Sequence, residues 1–187
     1  MRQLSSPIDN YSGFVLVAHP GMLGGFFAKS VVLISTHSKG VGAVGVIINR
    51  PLGKTLGQLD GEFVYSALSE VPLYNGGPVA PKRFIFTAWQ WDKGRRVFKL
   101  HFGITHLRAE EILRDNPDME IRCFMGHAVW SGGQLEGELE QQAWCLSPLN
   151  DKVFSDVKGD SLWKQVLVSV TPELKLLTNA PDDPSVN

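Results

Sequence analysis

The segment Val46-Ile47-Ile48-Asn49-Arg50-Pro51 limits the fold more than any other stretch, because it follows three glycines spaced as in a nucleotide-binding loop. Gly40, Gly42 and Gly45 spell a literal G-x-G-x-x-G, and Asp60 lies about twenty positions past Gly40, where a ribose-binding carboxylate would be sought. Such a loop must open a helix whose N-terminus holds the pyrophosphate. Here the glycines run into β-branched residues, and Pro51 would stop a helix at once. The run therefore reads as a strand returning antiparallel to "SVVLIST" (Ser30–Thr36) across the polar turn His37-Ser38-Lys39-Gly40. The glycines then serve close approach to a neighbouring backbone, and the dinucleotide reading is set aside.

The rest of the chain follows the same division. "GFVLVAH" (Gly13–His19) is a second β-branched strand, and "GGFFAKS" after it reads as a short helical turn or irregular crossing. "RFIFTAWQW" and "RRVFKLHF" flank Asp92-Lys93-Gly94, where a glycine at positive φ would make a tight hairpin. Helices come later. "THLRAEEILRDN" has Thr105 as N-cap, a face of Ala109, Ile112 and Leu113, and a stop before Pro117. In "SGGQLEGELEQQAWC", Ser131 stands three residues before Gln134, a capping-box spacing, with Leu135, Leu139 and Ala143 four apart. "DSLWKQVLVS" and "TPELKLL" open with Asp160 and with Thr171-Pro172. Strands early and helices late predict a compact α+β fold: one domain with an antiparallel or mixed sheet, helices mainly in the C-terminal half, and a core over about residues 13–178. The polar, Pro-rich ends are expected to lie on the surface.

Charge and cysteine content narrow the function classes. Eighteen Lys and Arg against 19 Asp and Glu give a net charge of −1, so no global field draws the chain to nucleic acid or membrane. The longest apolar stretch, Phe14 to Ala18, is too short to span a bilayer, and "MRQLSSPIDNYSG" has no apolar leader core. Cys123 and Cys145 lack C-x-x-C spacing, so two reduced thiols in a cytoplasmic protein are expected. His101 and His106, five apart, do not have a metal-ligand spacing. Neither a metal nor a cofactor is expected.

Four blocks, in order, carry a resemblance: "GFVLVAHPGMLGGFFAKSVVLI", "THSKGVGAVGVIINRP", "YNGGPV" and "GHAVWSGGQLEGELEQQAWC". The arrangement resembles the YqgE/AlgH family of bacterial proteins from about Gly13 to Phe154. That resemblance implies a compact α+β fold with no established activity or cofactor. It also implies a link to alginate regulation, which is why members are described as transcriptional regulators. Two departures stand out: Gly126-His127-Ala128-Val129-Trp130 replaces the family's Gly-Tyr-Ala-Gly-Trp, and Gly24-Gly25 replaces a common Asp-Pro.

The same blocks supply the candidate ligand- or partner-binding residues. Asn49 and Arg50 end a strand with an amide and a planar cation, and Arg50 is expected to pair with Glu136 or Glu138. Gly76 and Gly77 form a turn that either permits a tight crossing or presents amides to an anion. Trp130, Gln134 and Glu138 surround a helix start that either caps and packs or seats a small ligand. His37 and His127 are the acid–base candidates. Cys123 lies four residues before His127, on one face of a regular strand, so a Cys/His pair is imaginable.

Two functions remain open at this stage. One is a non-enzymatic module that binds a protein partner or small metabolite and regulates transcription indirectly. The other is a small hydrolase or transferase using His37 or His127 with Arg50. Trp89, Trp91, Arg95, Arg96 and Lys99 could form a basic, aromatic β-ribbon. The charges are few and no helix-turn-helix is visible, so direct duplex DNA binding is not expected. The three blocks at Asn49–Pro51, Gly76–Pro78 and Trp130–Glu138 are expected to converge as an architectural clasp.

Overall fold

The returning strand is present. In the computed structural model, which describes residues 9–179 other than 93, 96, 151, 152 and 154–156, β2 (Val31–Ser38) and β3 (Gly42–Ile47) are antiparallel neighbours, with Leu33 opposite Val46. Gly45 stands opposite Ile34, and a Cβ on it would sit 2.6 Å from the Leu33 carbonyl oxygen. This close approach accounts for the glycine spacing without a nucleotide. One detail differs from the sequence reading. His37 and Ser38 belong to β2 rather than the turn, because His37 pairs with Ala43 and its side chain is buried.

β1 (Phe14–Ala18) lies on the other side of β2, and β9 (Trp144–Pro148) closes that edge. Beyond β3 runs β8 (Glu120–Ser131), which joins two parts of the sheet. Its end pairs with β3, and its beginning pairs in parallel with β5 (Pro72–Asn75) and antiparallel with β6 (Val79–Asp92). β4 (Pro51–Thr55) borders β5, and β7 (Val97–Ile104) borders β6. Among the described residues the result is a mixed nine-stranded sheet ordered β4-β5-β8-β3-β2-β1-β9, with β6 attached to β8 and β7 to β6.

Alternation along the strands feeds separate cores. Val15, Val17, Val31 and Leu33 face Leu162, Trp163, Val166 and Leu167 of α4 (Gly159–Val170). Leu16, Ala18, Val32 and Ile34 face the other way, against Trp130, Trp144 and Leu135 of α3 (Gln134–Glu140). A third cluster packs Ala109 and Ile112 of α2 (His106–Asp115) and Leu56 of α1 (Leu56–Leu59) over Leu73, Phe86 and Cys123. The α+β class is therefore observed, with three of the four α-helices among the described residues in the second half.

Thr105 caps α2 as its sequence predicts, by accepting a hydrogen bond from the Arg108 amide. Ser131 does not cap α3. It ends β8, and Gly133 is the N-cap, although the Gln134 side chain still accepts from the Ser131 amide at 3.0 Å. The β6–β7 hairpin forms, with Asp92 opposite Val97, and Asp92 accepts from the Arg95 amide. The polar ends at 1–8 and 180–187, and Lys93 and Arg96 of the hairpin, lie outside the described residues.

Candidate functional site

The residues singled out by sequence fall into two junctions, one at each end of β3. At the Gly42 end, Trp130 pairs with Ala43 and carries the chain into α3. α3 places Gln134 and Glu138 one turn apart, so their side chains meet each other. The Trp130 and Trp144 indole N–H groups both donate to Glu138 Oε2, at 2.9 and 2.7 Å. Gln134 donates to Oε1 of the same carboxylate at 2.9 Å. The two indole rings meet edge to face at 6.1 Å. Glu138 thus satisfies two buried donors that would otherwise be orphaned in the core.

His37 belongs to the same junction. Its Nδ1 accepts from the Tyr11 amide at 3.2 Å, which leaves Nε2 to donate to Glu136 Oε1 at 3.1 Å. Tyr11 covers the imidazole at a ring separation of 4.6 Å, and Ser12 Oγ accepts from the His37 amide. These groups line a hollow of about 430 Å³ together with Asp9, Lys39 and Glu140. The Glu136 carboxyl is held below its usual range, first by the amide of its own residue. Burial opposes this, and the His37 hydrogen bond and the Gly40 amide add to the lowering. Burial raises the Tyr11 phenol, with Glu136, Glu140 and Asp9 adding to the rise.

The opposite end of β3 holds Asn49, Arg50, Gly76 and Gly77. Asn49 accepts from the Val31 amide at 2.8 Å and donates to the carbonyls of Lys29 and Gly159, which ties β2 to the start of α4. Its side chain is fully engaged and 1% exposed. The Arg50 carbonyl accepts from the Asn75 amide, and the Gly76 carbonyl accepts from the Ile47 amide, both at 2.9 Å. Gly77 presses on β8, where a Cβ would lie 2.6 Å from the Ala128 nitrogen.

The expected pairing of Arg50 with Glu136 or Glu138 is not formed. Its guanidinium donates to the Ala28 carbonyl at 3.1 Å and sits over the Phe26 ring, while burial lowers its pKa and Asp160 partly restores it. The single clasp predicted from three blocks is accordingly two structures. The Asn49–Pro51 and Gly76–Pro78 blocks meet, whereas pairing of Trp130 with Ala43 sets the Trp130–Glu138 block at the far end of β3, where Glu136 and Glu138 serve His37 and the indoles.

A Cys123–His127 pair is not formed either. Gly126, at φ 72°, breaks the alternation: Phe124 packs under α4 and Ala128 under α3, on opposite faces despite their even spacing. Burial pushes the Cys123 thiol up to about 12, away from any nucleophilic role. His127 is lowered by burial and by Arg83, and its Nδ1 is buried without a hydrogen bond. Both cysteines are free, and among the described residues no group of three or more acidic, His or Cys side chains could hold a metal.

A third feature lies apart from both junctions. Phe63, Phe84, Phe86 and Ile104 floor an open groove of about 670 Å³ between the segment after α1 and the start of α2. The rings of Phe84 and Phe86 lie 6.4 and 6.2 Å from that of Phe63. Asp60, Glu62 and Glu110 rim the groove, with His106 against Phe63.

An AlgH-like family model matches residues 15–175, nearly the whole described chain. The chain belongs to the AlgH-like family. A UPF0301 protein of Methylococcus capsulatus is 33% identical over 83% of this chain and 89% of its own length. One from Xanthomonas campestris pv. campestris is 31% identical over 96% and 97%. The crystal structure of a Corynebacterium diphtheriae protein superposes with a TM-score of 0.69, at 27% identity and 91% and 92% coverage. The solution structure of AlgH from Pseudomonas aeruginosa gives 0.63, at 26% identity and 97% and 98% coverage.

In this AlgH-like chain the motif polar groups hold the fold first. The floor of the groove escaped sequence reasoning, although Phe63-Val64-Tyr65 is an apolar triplet between acidic and small residues and so a visible signal. Arg122 was also missed. It is 4% exposed, with its guanidinium between the Trp89 and Tyr74 rings at 4.3 and 5.0 Å and its Nε donating to Glu120. A lone cation inside the apolar run "EIRCFM" was the available clue. With Trp89 buried there, the basic, aromatic ribbon loses its central ring. Among the described residues no helix is long and apolar enough to cross a membrane.

Proposed function

We propose that this chain is a non-enzymatic binding module that docks a protein partner in the cytoplasm and influences transcription through it. The observation that carries this reading is the acid-rimmed groove. Its lining includes Leu107, an apolar side chain that is 61% exposed. Contiguous exposed apolar surface with a polar rim is characteristic of interaction sites. The groups that catalysis would recruit are engaged elsewhere. His37 is held by Tyr11 and Glu136, Arg50 lies at the other end of β3, and His127 has neither as a partner. An acid–base site needs such groups to converge on one reacting atom. The near-neutral net charge also argues against a direct grip on duplex DNA.

The test is photo-crosslinking in living cells of the native host, with a photoreactive residue in place of Leu107 in the groove or Lys39 at the His37 hollow. The reading predicts a discrete protein adduct from position 107. Adducts from neither position, or from 39 alone, would contradict it.

A further inference from the structure

The groove floor makes no directed hydrogen bonds, because Phe63, Phe84, Phe86 and Ile104 offer only apolar surface. Its rim is of one sign. Asp60, Glu62 and Glu110 line it, and no lysine or arginine does so among the described residues. Three carboxylates around one opening are a strong local bias in a chain whose net charge is only −1. The nearest α2 cation, Arg108, is turned to Glu111 at 2.8 Å and does not neutralise the rim. His106 is the one basic side chain in the lining, and its ring stands edge-on to Phe63.

Building on the partner-docking reading above, we infer that this groove takes a cationic amphipathic segment of a protein partner. Its bulky apolar side chains enter over Phe63, Phe84 and Phe86, and its Lys or Arg side chains meet Asp60, Glu62 and Glu110. Charge complementarity selects this occupant. A nucleic acid or an anionic lipid surface would bring like charge to the rim, and like-charge juxtaposition suppresses association. A small organic cation would fill the floor yet leave the exposed Leu107 of the lining in water, whereas a peptide segment covers it. The rim charges act within a Debye length of the bound segment, so they set partner choice and encounter rate while the floor supplies the burial.

A random dodecamer display library, panned on the full chain and counter-selected on Leu107→Asp, tests this without knowledge of the natural partner. The expected selectants are net positive, with two or more Leu, Phe, Trp or Met residues. The best of them, as a synthetic peptide, should bind at least about tenfold more weakly to Glu62→Lys/Glu110→Lys and lose affinity as salt is raised. Glu62→Gln/Glu110→Gln serves the same purpose if the reversal variant fails to fold. Groove-dependent selectants that are neutral or acidic would overturn the cationic partner and leave the docking reading standing. The absence of any selectant sensitive to Leu107→Asp would overturn both.

Discussion

The Trp144 indole nitrogen lies 2.7 Å from Glu138 Oε2, an atom that also holds the Trp130 indole. One carboxylate oxygen therefore serves two nearly buried donors from different strands, and α3 is fixed to the sheet through it. Glu138→Ala leaves both indole N–H groups without an acceptor. It should destabilise the fold by about 2–4 kcal/mol, and Glu138→Gln, which keeps one acceptor oxygen, by roughly half as much. Urea melts followed by tryptophan fluorescence read both values; superimposable melts would refute the assignment.

Asn49 and Arg50 are adjacent but unequal. Asn49→Ala strips hydrogen bonds from the Val31 amide and the Lys29 and Gly159 carbonyls, at a cost of about 3 kcal/mol or more. Arg50→Ala removes one carbonyl contact and one ring contact, and should cost only about 1–2 kcal/mol. Denaturant melts that reverse this order would show that Arg50 has a buried acidic partner after all.

Glu136 gives the stability an acid limb. Its carboxyl is lowered from 4.5 in the folded chain, mainly by its own backbone amide and then by His37, and returns to 4.5 on unfolding. Its contribution is therefore complete above about pH 4.5 and is lost as the pH falls through the lower folded value. Glu136→Gln should flatten the fall in stability over that window and leave its shape near neutrality unchanged. Urea melts across the acid range decide the point, and identical slopes in both proteins would contradict it.

Cys123 should resist alkylation in the folded state, because burial puts its thiol near 12. The half-buried Cys145 is raised less, and should react first. Iodoacetamide labelling at mildly alkaline pH, mapped by mass spectrometry, should modify Cys123 only after denaturant is added. Prompt labelling of Cys123 in the native protein would reopen the nucleophile reading.

Much of the fold was legible because local signals agreed with one another. Pro51 after β-branched residues fixed β3 as a strand, and Thr105 and Pro117 bounded α2. The junctions were harder to read. Spacing brought Trp130, Gln134 and Glu138 together, since the short turn from β8 into α3 holds them. The partners of Arg50 depend on which end of β3 each loop reaches, and no local pattern carries that information. Gly126 reversed the face of His127 through one positive φ, which a period-two reading of β8 cannot register. The Phe63-Val64-Tyr65 triplet hinted at an apolar patch, but the groove as a whole was hidden for a similar reason. Phe63, Phe84 and Ile104 are far apart in sequence and meet only through the pairing of β6 with β7 and the excursion after α1.

The central claim is that the groove, and not the His37 hollow, is where this AlgH-like chain meets its partner. The most direct measurement is quantitative capture from native cells with tagged wild type, Leu107→Asp and His37→Gln, each first shown by thermal melt to be folded at the capture temperature. The account predicts one set of partners retained by wild type and His37→Gln and lost by Leu107→Asp. Retention by Leu107→Asp together with loss by His37→Gln would contradict it and move the binding site to the hollow.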